Sequence, residues 1–164
     1  KTSLMIDAFR ITSSYATSGT DSEDFLTANW AQVNSDGFGT ASGQGTGMTQ
    51  SSGVFTFPTT GVYRVTFHTM GYGGNGVDNR YVGAAIFSTL NNSSYDIASL
   101  TYGSVTETLN DNTFTNMHVT HIFDCTDTTT HKVKFQVRSS HVITFSGASV
   151  ANYTYATFER ISDT

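Results

Sequence analysis

Between residues 62 and 70 the side chains alternate, with Tyr63, Val65 and Phe67 on one side and Arg64, Thr66 and His68 on the other. Successive side chains of a β-strand point to opposite faces, so this alternation predicts a strand with one buried face. The pattern returns at 131–138, where Val133, Phe135 and Val137 are expected to face inward and Lys132, Lys134, Gln136 and Arg138 to face water. Met117, Val119 and Phe123 line one side of 117–124. Runs rich in Val, Ile, Thr, Phe and Tyr predict further strands over 4–12, 53–57, 81–90, 96–102 and 153–161. No stretch carries a helical apolar period of about 3.6 residues, and no repeat of solenoid length is present. The connections are polar, with Gly, Ser and Thr crowding 35–52 and Gly and Asn crowding 71–79. Half-buried antiparallel strands at this spacing predict an all-β sandwich or jelly roll, one domain over 1–164.

The only proline, Pro58, falls inside GVFTFPTTGVYRVTFH, residues 53–68. Proline has no amide hydrogen to give to a ladder, so it is expected to end the short strand before it. Thr59, Thr60 and Gly61 then turn the chain into the longer strand that begins at Val62.

Charged residues make up only 13% of the chain and aromatic residues another 13%. That balance argues against disorder, which goes with high charge and few aromatics. A net charge of −5 and a pI near 5.3 argue against a nucleic-acid partner, because phosphate binding needs a concentrated basic face. No apolar run approaches the length that spans a bilayer, and no membrane insertion is expected. The single cysteine, Cys125, cannot form an intrachain disulfide and reads as a small buried hydrophobe. The chain opens at Lys1 without a signal-peptide pattern, which reads as a processed product or an excised domain.

Residues 71–76 match the Gly-rich dinucleotide fingerprint, but the run that follows reads as a strand, and the motif needs a helix there. His118 and His121 are three apart, on opposite faces of a strand, so they cannot share one ion without a bulge; His68, His131 and His141 read as structural or solvated. Asp21, Glu23, Asp24 and Asp78 are the oxygen-rich candidates for calcium, without the ligand spacing of a dedicated calcium loop. No nucleophile elbow and no paired carboxylates are visible, so no catalytic residues are expected and the chain reads as non-enzymatic. Sequons stand at Asn91, Asn92 and Asn152, and matter only on a secretory route.

Gly53, Val54, Phe55, then Pro58, Gly61, Val62, Tyr63, Phe67 and His68 follow one another in an order that resembles the signature of the complement-type globular head domain, a branch of the TNF-like jelly-roll superfamily. Ala8, Phe9 and Ile11 resemble its first strand, and 156–161 stands where its last strand would be, although Glu159 and Arg160 replace the usual small and apolar residues. The resemblance implies an antiparallel jelly-roll sandwich of about ten strands, TNF-like, assembled as a tight threefold homotrimer. It also implies a binding module, and a calcium site near the trimer top in some members.

On that basis Tyr102, Tyr153, Tyr155 and Phe158, with Tyr95, are candidates for the trimer interface. Loop position makes Tyr72, Asn75, Asn79, Asn91, Asn92 and Tyr95 candidates for ligand contact. The composition suits a virion or extracellular surface: a trimeric recognition head of a fibre or particle, binding a host-cell surface glycan or protein receptor. A structural capsid decoration or fibre-forming protein docked on neighbouring virion proteins, and a secreted head after a collagen-like stalk, remain open alternatives.

Overall fold

A computed structural model of the chain describes residues 4–33, 46–73, 78–106 and 111–164. The described residues form thirteen strands: β1 (Met5–Ile11), β2 (Ser13–Ala16), β3 (Ser22–Phe25), β4 (Trp30–Gln32), β5 (Thr49–Ser51), β6 (Val54–Thr56), β7 (Gly61–Gly73), β8 (Asn79–Thr89), β9 (Asp96–Val105), β10 (Thr113–Cys125), β11 (Lys132–Ser139), β12 (Thr144–Ala148) and β13 (Tyr155–Ser162). They lie in two antiparallel sheets. One runs β2-β12-β7-β13-β1-β4, with β10 also paired to β7; the other runs β5-β6-β11-β8-β9, with β3 also paired to β11.

Every strand expected from the sequence is present. β2, β3, β4, β5 and β12 are additional; each is five residues or shorter.

The inward side chains meet as an aromatic cluster. The Phe55 ring lies 5.2 Å from Phe9, 5.2 Å from Trp30, 5.2 Å from Phe135 and 5.1 Å from Phe158. Three of the four contacts are edge-on, the arrangement that brings a positive ring edge to a negative ring face, and such pairs add about 0.5–1.5 kcal/mol each beyond the area they bury. Phe57 stacks on Phe123 and packs against Tyr63, whose buried ring sends its hydroxyl to the carbonyl of Thr59 at 2.8 Å. The Pro58 corner is thereby tied to the core, and β6 ends just before it.

One buried carboxylate also holds the framework. Asp7 Oδ1 accepts from the amide of Ala8 at 2.9 Å and from Gln32 Nε2 at 2.8 Å, and its Oδ2 accepts from the amide of Met48 at 2.8 Å. The chain segments on either side of residues 34–45 are thus both fastened to β1.

The outward side of β11 differs from the sequence expectation. Lys132, Gln136 and Arg138 are buried and Lys134 is half-buried. β11 is a central strand, and Phe25 from β3 and Tyr95, just before β9, close over it: Lys134 Nζ lies 3.7 Å and 4.1 Å from their ring centres. Arg138 is held by Glu23 at 2.9 Å and by the Tyr102 hydroxyl at 3.0 Å.

Ser52 and Gly53 join β5 to β6 with φ of 49° and 75°, as a two-residue hairpin of mirror-image turn type requires. A Cβ on Gly53 would meet the carbonyl oxygen of Leu26. Gly53→Ala is therefore expected to destabilise the fold by about 1–3 kcal/mol, read as a lower denaturant midpoint at unchanged slope.

Candidate functional site

The pairing of β13, β7 and β10 fixes three rows on the outward face of the seven-stranded sheet. They are Tyr155–His68–His118, Thr157–Thr66–Thr120 and Glu159–Arg64–Ile122. Alternation sends Tyr63, Val65 and Phe67 inward, so the intervening residues of β7 must face out. The only Asp, Glu, Lys or Arg residues in these rows are Arg64 and Glu159, and they pair with each other at 2.7 Å. Both are about half exposed, so the pair itself stabilises by at most about 1 kcal/mol. Its effect is to leave these three rows without net charge; Arg10, beside Tyr155 on β1, and Asp124, at the end of β10, lie beyond them. Ile122 and, farther along β10, Phe114 stand open to solvent, 51% and 58% exposed.

At one end of this face is a cleft of about 270 Å³ lined by His68, Met70, Asn116, His118, Tyr153 and Tyr155 among others. The His68 ring stacks on Tyr155, with centroids 4.6 Å apart and planes 7° from parallel. His118 Nδ1 lies 2.9 Å from His68 Nε2. The partly buried site and the neighbouring His118 hold the His68 imidazole below its ordinary pKa, burial being the larger cause. His121 turns to the other side of β10, beside Phe123, and burial lowers its pKa too.

The interface candidates do not share one surface. Tyr153 and Tyr155 border the outward face of the seven-stranded sheet. Tyr102 and Tyr95 lie across the sandwich, on the outward side of the six-stranded sheet, where they close over Arg138 and Lys134. Phe158 is a correction: it is fully buried in the core against Phe9, Phe55 and Phe135, because its position on β13 points inward.

The ligand candidates also divide. Asn79 is buried, and its Oδ1 accepts from the amide of His141 at 2.8 Å and faces Ser140 Oγ at 3.4 Å, so it braces a loop and does not meet solvent. Asn91 folds its own turn, its Oδ1 accepting from the amides of Ser93 and Ser94 at 2.9 Å each. Asn92 is exposed with φ of 54°, and Tyr72 is half-buried against Phe114 at 5.4 Å. Asn75 lies outside the described residues, as do the rest of 74–77 and Glu107.

The calcium candidates are not gathered. Asp21 accepts from Tyr81 at 2.8 Å and Arg80 at 3.2 Å, Glu23 pairs with Arg138, and Asp24 accepts from Ser18 through its amide at 2.7 Å and its hydroxyl at 2.8 Å. Among the described residues no group of three or more His, Cys, Asp or Glu side chains could hold a metal ion. Cys125 is buried, and burial pushes its thiol up to about 11, which keeps it protonated and unreactive.

The sequence reading missed the row Tyr155–His68–His118. His68 and His118 both occupy the polar positions of their strands, which was visible. Their juxtaposition depends on the register of β7 against β10, which no local pattern states.

Comparison of the whole fold places this geometry. The crystal structure of murine APRIL at pH 8.5 superposes with a TM-score of 0.58 at 9% identity, covering 96% of this chain and 99% of that one. Eiger TNF from S. frugiperda gives 0.59 at 12% identity, covering 99% and 96%. The fold is the TNF-like jelly roll. Murine APRIL at pH 5.0 gives 0.56 at 10% identity, over 95% and 99%. No protein-family model matches the sequence, and no curated protein sequence matches it. At these identities the TNF-like likeness is one of architecture.

His68 and His121 generate a pH prediction. Their lowered pKa values mean that the unfolded chain binds more protons once pH falls below about 6.5. Stability is therefore full above that pH and is lost as pH falls through the folded-state values. Asp21 and Asp127 are also lowered from their ordinary value, so their contribution is lost only in a more acidic window. Thermal melts from pH 8 to 5 in the presence of chelator should show a falling midpoint, and His68→Asn with His121→Asn should flatten that slope.

Proposed function

We propose that the chain is a non-enzymatic, homotrimeric recognition head of a virion fibre or particle surface, which binds a host-cell receptor or glycan. The observation that carries this reading is the block of three rows without net charge across β13, β7 and β10, on the outward face of the seven-stranded sheet. Thr66, Thr120 and Thr157 form its middle, Ile122 is open at its edge, and Arg64 and Glu159 cancel each other's charge within it. Water leaves such a face at little electrostatic cost, whereas the opposite outward face carries Lys134, Arg138 and Glu23 in contacts of their own. The TNF-like jelly roll and the head-domain resemblance of residues 53–68 support the same reading. Three copies present three equivalent sets of loops, and weak single contacts to a repetitive cell surface then add by avidity. Ligand contact is assigned to loop ends away from the buried face, with Asn92 as the described residue best placed for it.

Light scattering on the eluting protein is expected to give three times the 17.7 kDa chain mass, and a 17.7 kDa species at micromolar concentration contradicts the trimer. Ile122→Glu should convert the trimer to a folded monomer with an unchanged β-sheet circular dichroism spectrum. Val142→Glu, which alters an exposed apolar side chain outside the three rows, should leave the mass unchanged. For recognition, a glycan array and adsorption to host cells should give a signal in at least one, and silence in both contradicts the receptor role.

A further inference from the structure

We propose that His68 and His118 form a cross-strand site for one borderline transition-metal ion, Zn²⁺, Ni²⁺ or Cu²⁺, on the outward face of the seven-stranded sheet. The two residues are directly paired in the β7–β10 ladder and both side chains leave the same face. Imidazole is the ligand these ions favour among the side chains present there.

The spacing fits. Two nitrogens each bound at about 2.0–2.1 Å to one ion are about 2.9 Å apart at a right angle and about 3.4 Å apart at a tetrahedral angle. His118 Nδ1 lies 2.9 Å from His68 Nε2 and 3.2 Å from His68 Nδ1. His118 Nδ1 is near both nitrogens of His68 and so stands over that ring. The ligand pair needs no strand movement, and a turn of the exposed His118 ring away from that position brings its lone pair to meet the one on His68 Nε2.

The surroundings orient both rings. His118 Nε2 lies 3.2 Å from Thr120 Oγ1, which lies 3.4 Å from Thr66 Oγ1. With Nε2 carrying the proton and giving it to Thr120, Nδ1 is left with its lone pair toward His68. A ligating histidine is commonly fixed in this way by a partner on its other nitrogen. The stack on Tyr155 holds the plane of His68. The cleft beside the pair has room for waters to complete the coordination, and Met70 and Asn116 bring a thioether and an amide to its wall. His121, three residues from His118, faces the other side of β10 and takes no part.

The site uses ligands of one chain, so it stands apart from the trimer reading. Three such pairs would be brought to the buried surface if that reading holds, and a metal would then also stabilise the assembly.

Calorimetric titration of the chelator-stripped full chain with NiCl₂ or ZnCl₂ at pH 7.5 is expected to show one saturable site per chain. His118→Asn and His68→Asn should each abolish that step, while His141→Asn retains it. Electron paramagnetic resonance of the Cu²⁺ form should show two equatorial imidazole nitrogens, with one lost in each of the first two variants. Circular dichroism of the variants checks that they fold. Absence of a saturable step in the wild type, or its survival in His118→Asn, overturns the proposal. Light scattering on the same samples reports the oligomer separately, so a monomer that binds metal contradicts only the trimer, and a trimer that binds none contradicts only the metal site.

Discussion

β7 sends Tyr63, Val65 and Phe67 into the sandwich and Arg64, Thr66 and His68 out of it, and both its edges are paired. β10 runs along one edge over all thirteen residues from Gly61 to Gly73, and β13 and β12 share the other. That double pairing makes the inward and outward sets of β7 rigid with respect to each other. The inward set joins the aromatic cluster around Phe55 and fixes the distance between the sheets. The outward set, in register with β10 and β13, makes a flat face of threonines flanked by a neutral ion pair and a histidine pair. A slip of one residue would exchange the two sets, placing Arg64 and His68 in the core.

The two outward faces reach opposite electrostatic solutions with the same fold. On the six-stranded sheet, cations are enclosed: Lys134 between Phe25 and Tyr95, and Arg138 between Glu23 and Tyr102. Burial lowers the Lys134 pKa, a sign that its ammonium is partly out of water. Across β13, β7 and β10 the one charged pair of the three rows is open and self-compensating, and the rest of those rows is hydroxyl, imidazole, phenol and Ile122. A surface of that kind can be covered by another copy without stranding a charge.

The sequence showed the architecture through its long alternating strands. β7, β10 and β11 were legible because their apolar residues fall on one face, at 63, 65 and 67, at 117, 119 and 123, and at 133, 135 and 137. β2, β3, β4, β5 and β12 were not, because a strand of three to five residues pairs through its backbone and is too short to show a period. The burial of Lys132, Gln136 and Arg138 was missed for a related reason: polar alternation reports a second face, and only tertiary placement decides whether that face is roofed. Phe158 was misplaced because it was grouped with the exposed tyrosines as an aromatic, although Ala156-Thr157-Phe158-Glu159 alternates and puts it on the inward side with Ala156, where it pairs with Val65. The candidate face was half visible. Thr66, His68, His118 and Thr120 could each be assigned to an outward position, but their assembly into rows needed the registers 66↔120 and 68↔118.

The claim that the outward face of the seven-stranded sheet is covered in solution can be tested where the two faces have equal exposure within one chain. Ile122 and Tyr102 are both 51% exposed, one on each face, and Phe114 is 58% exposed. Hydroxyl-radical footprinting read by mass spectrometry, with each residue normalised to the denatured chain, compares them directly. Protection of Ile122 and Phe114 with free labelling of Tyr102 is the expected result. Labelling of all three to the same normalised extent at micromolar protein would mean that the face is bare, and would contradict the assembly proposed for it.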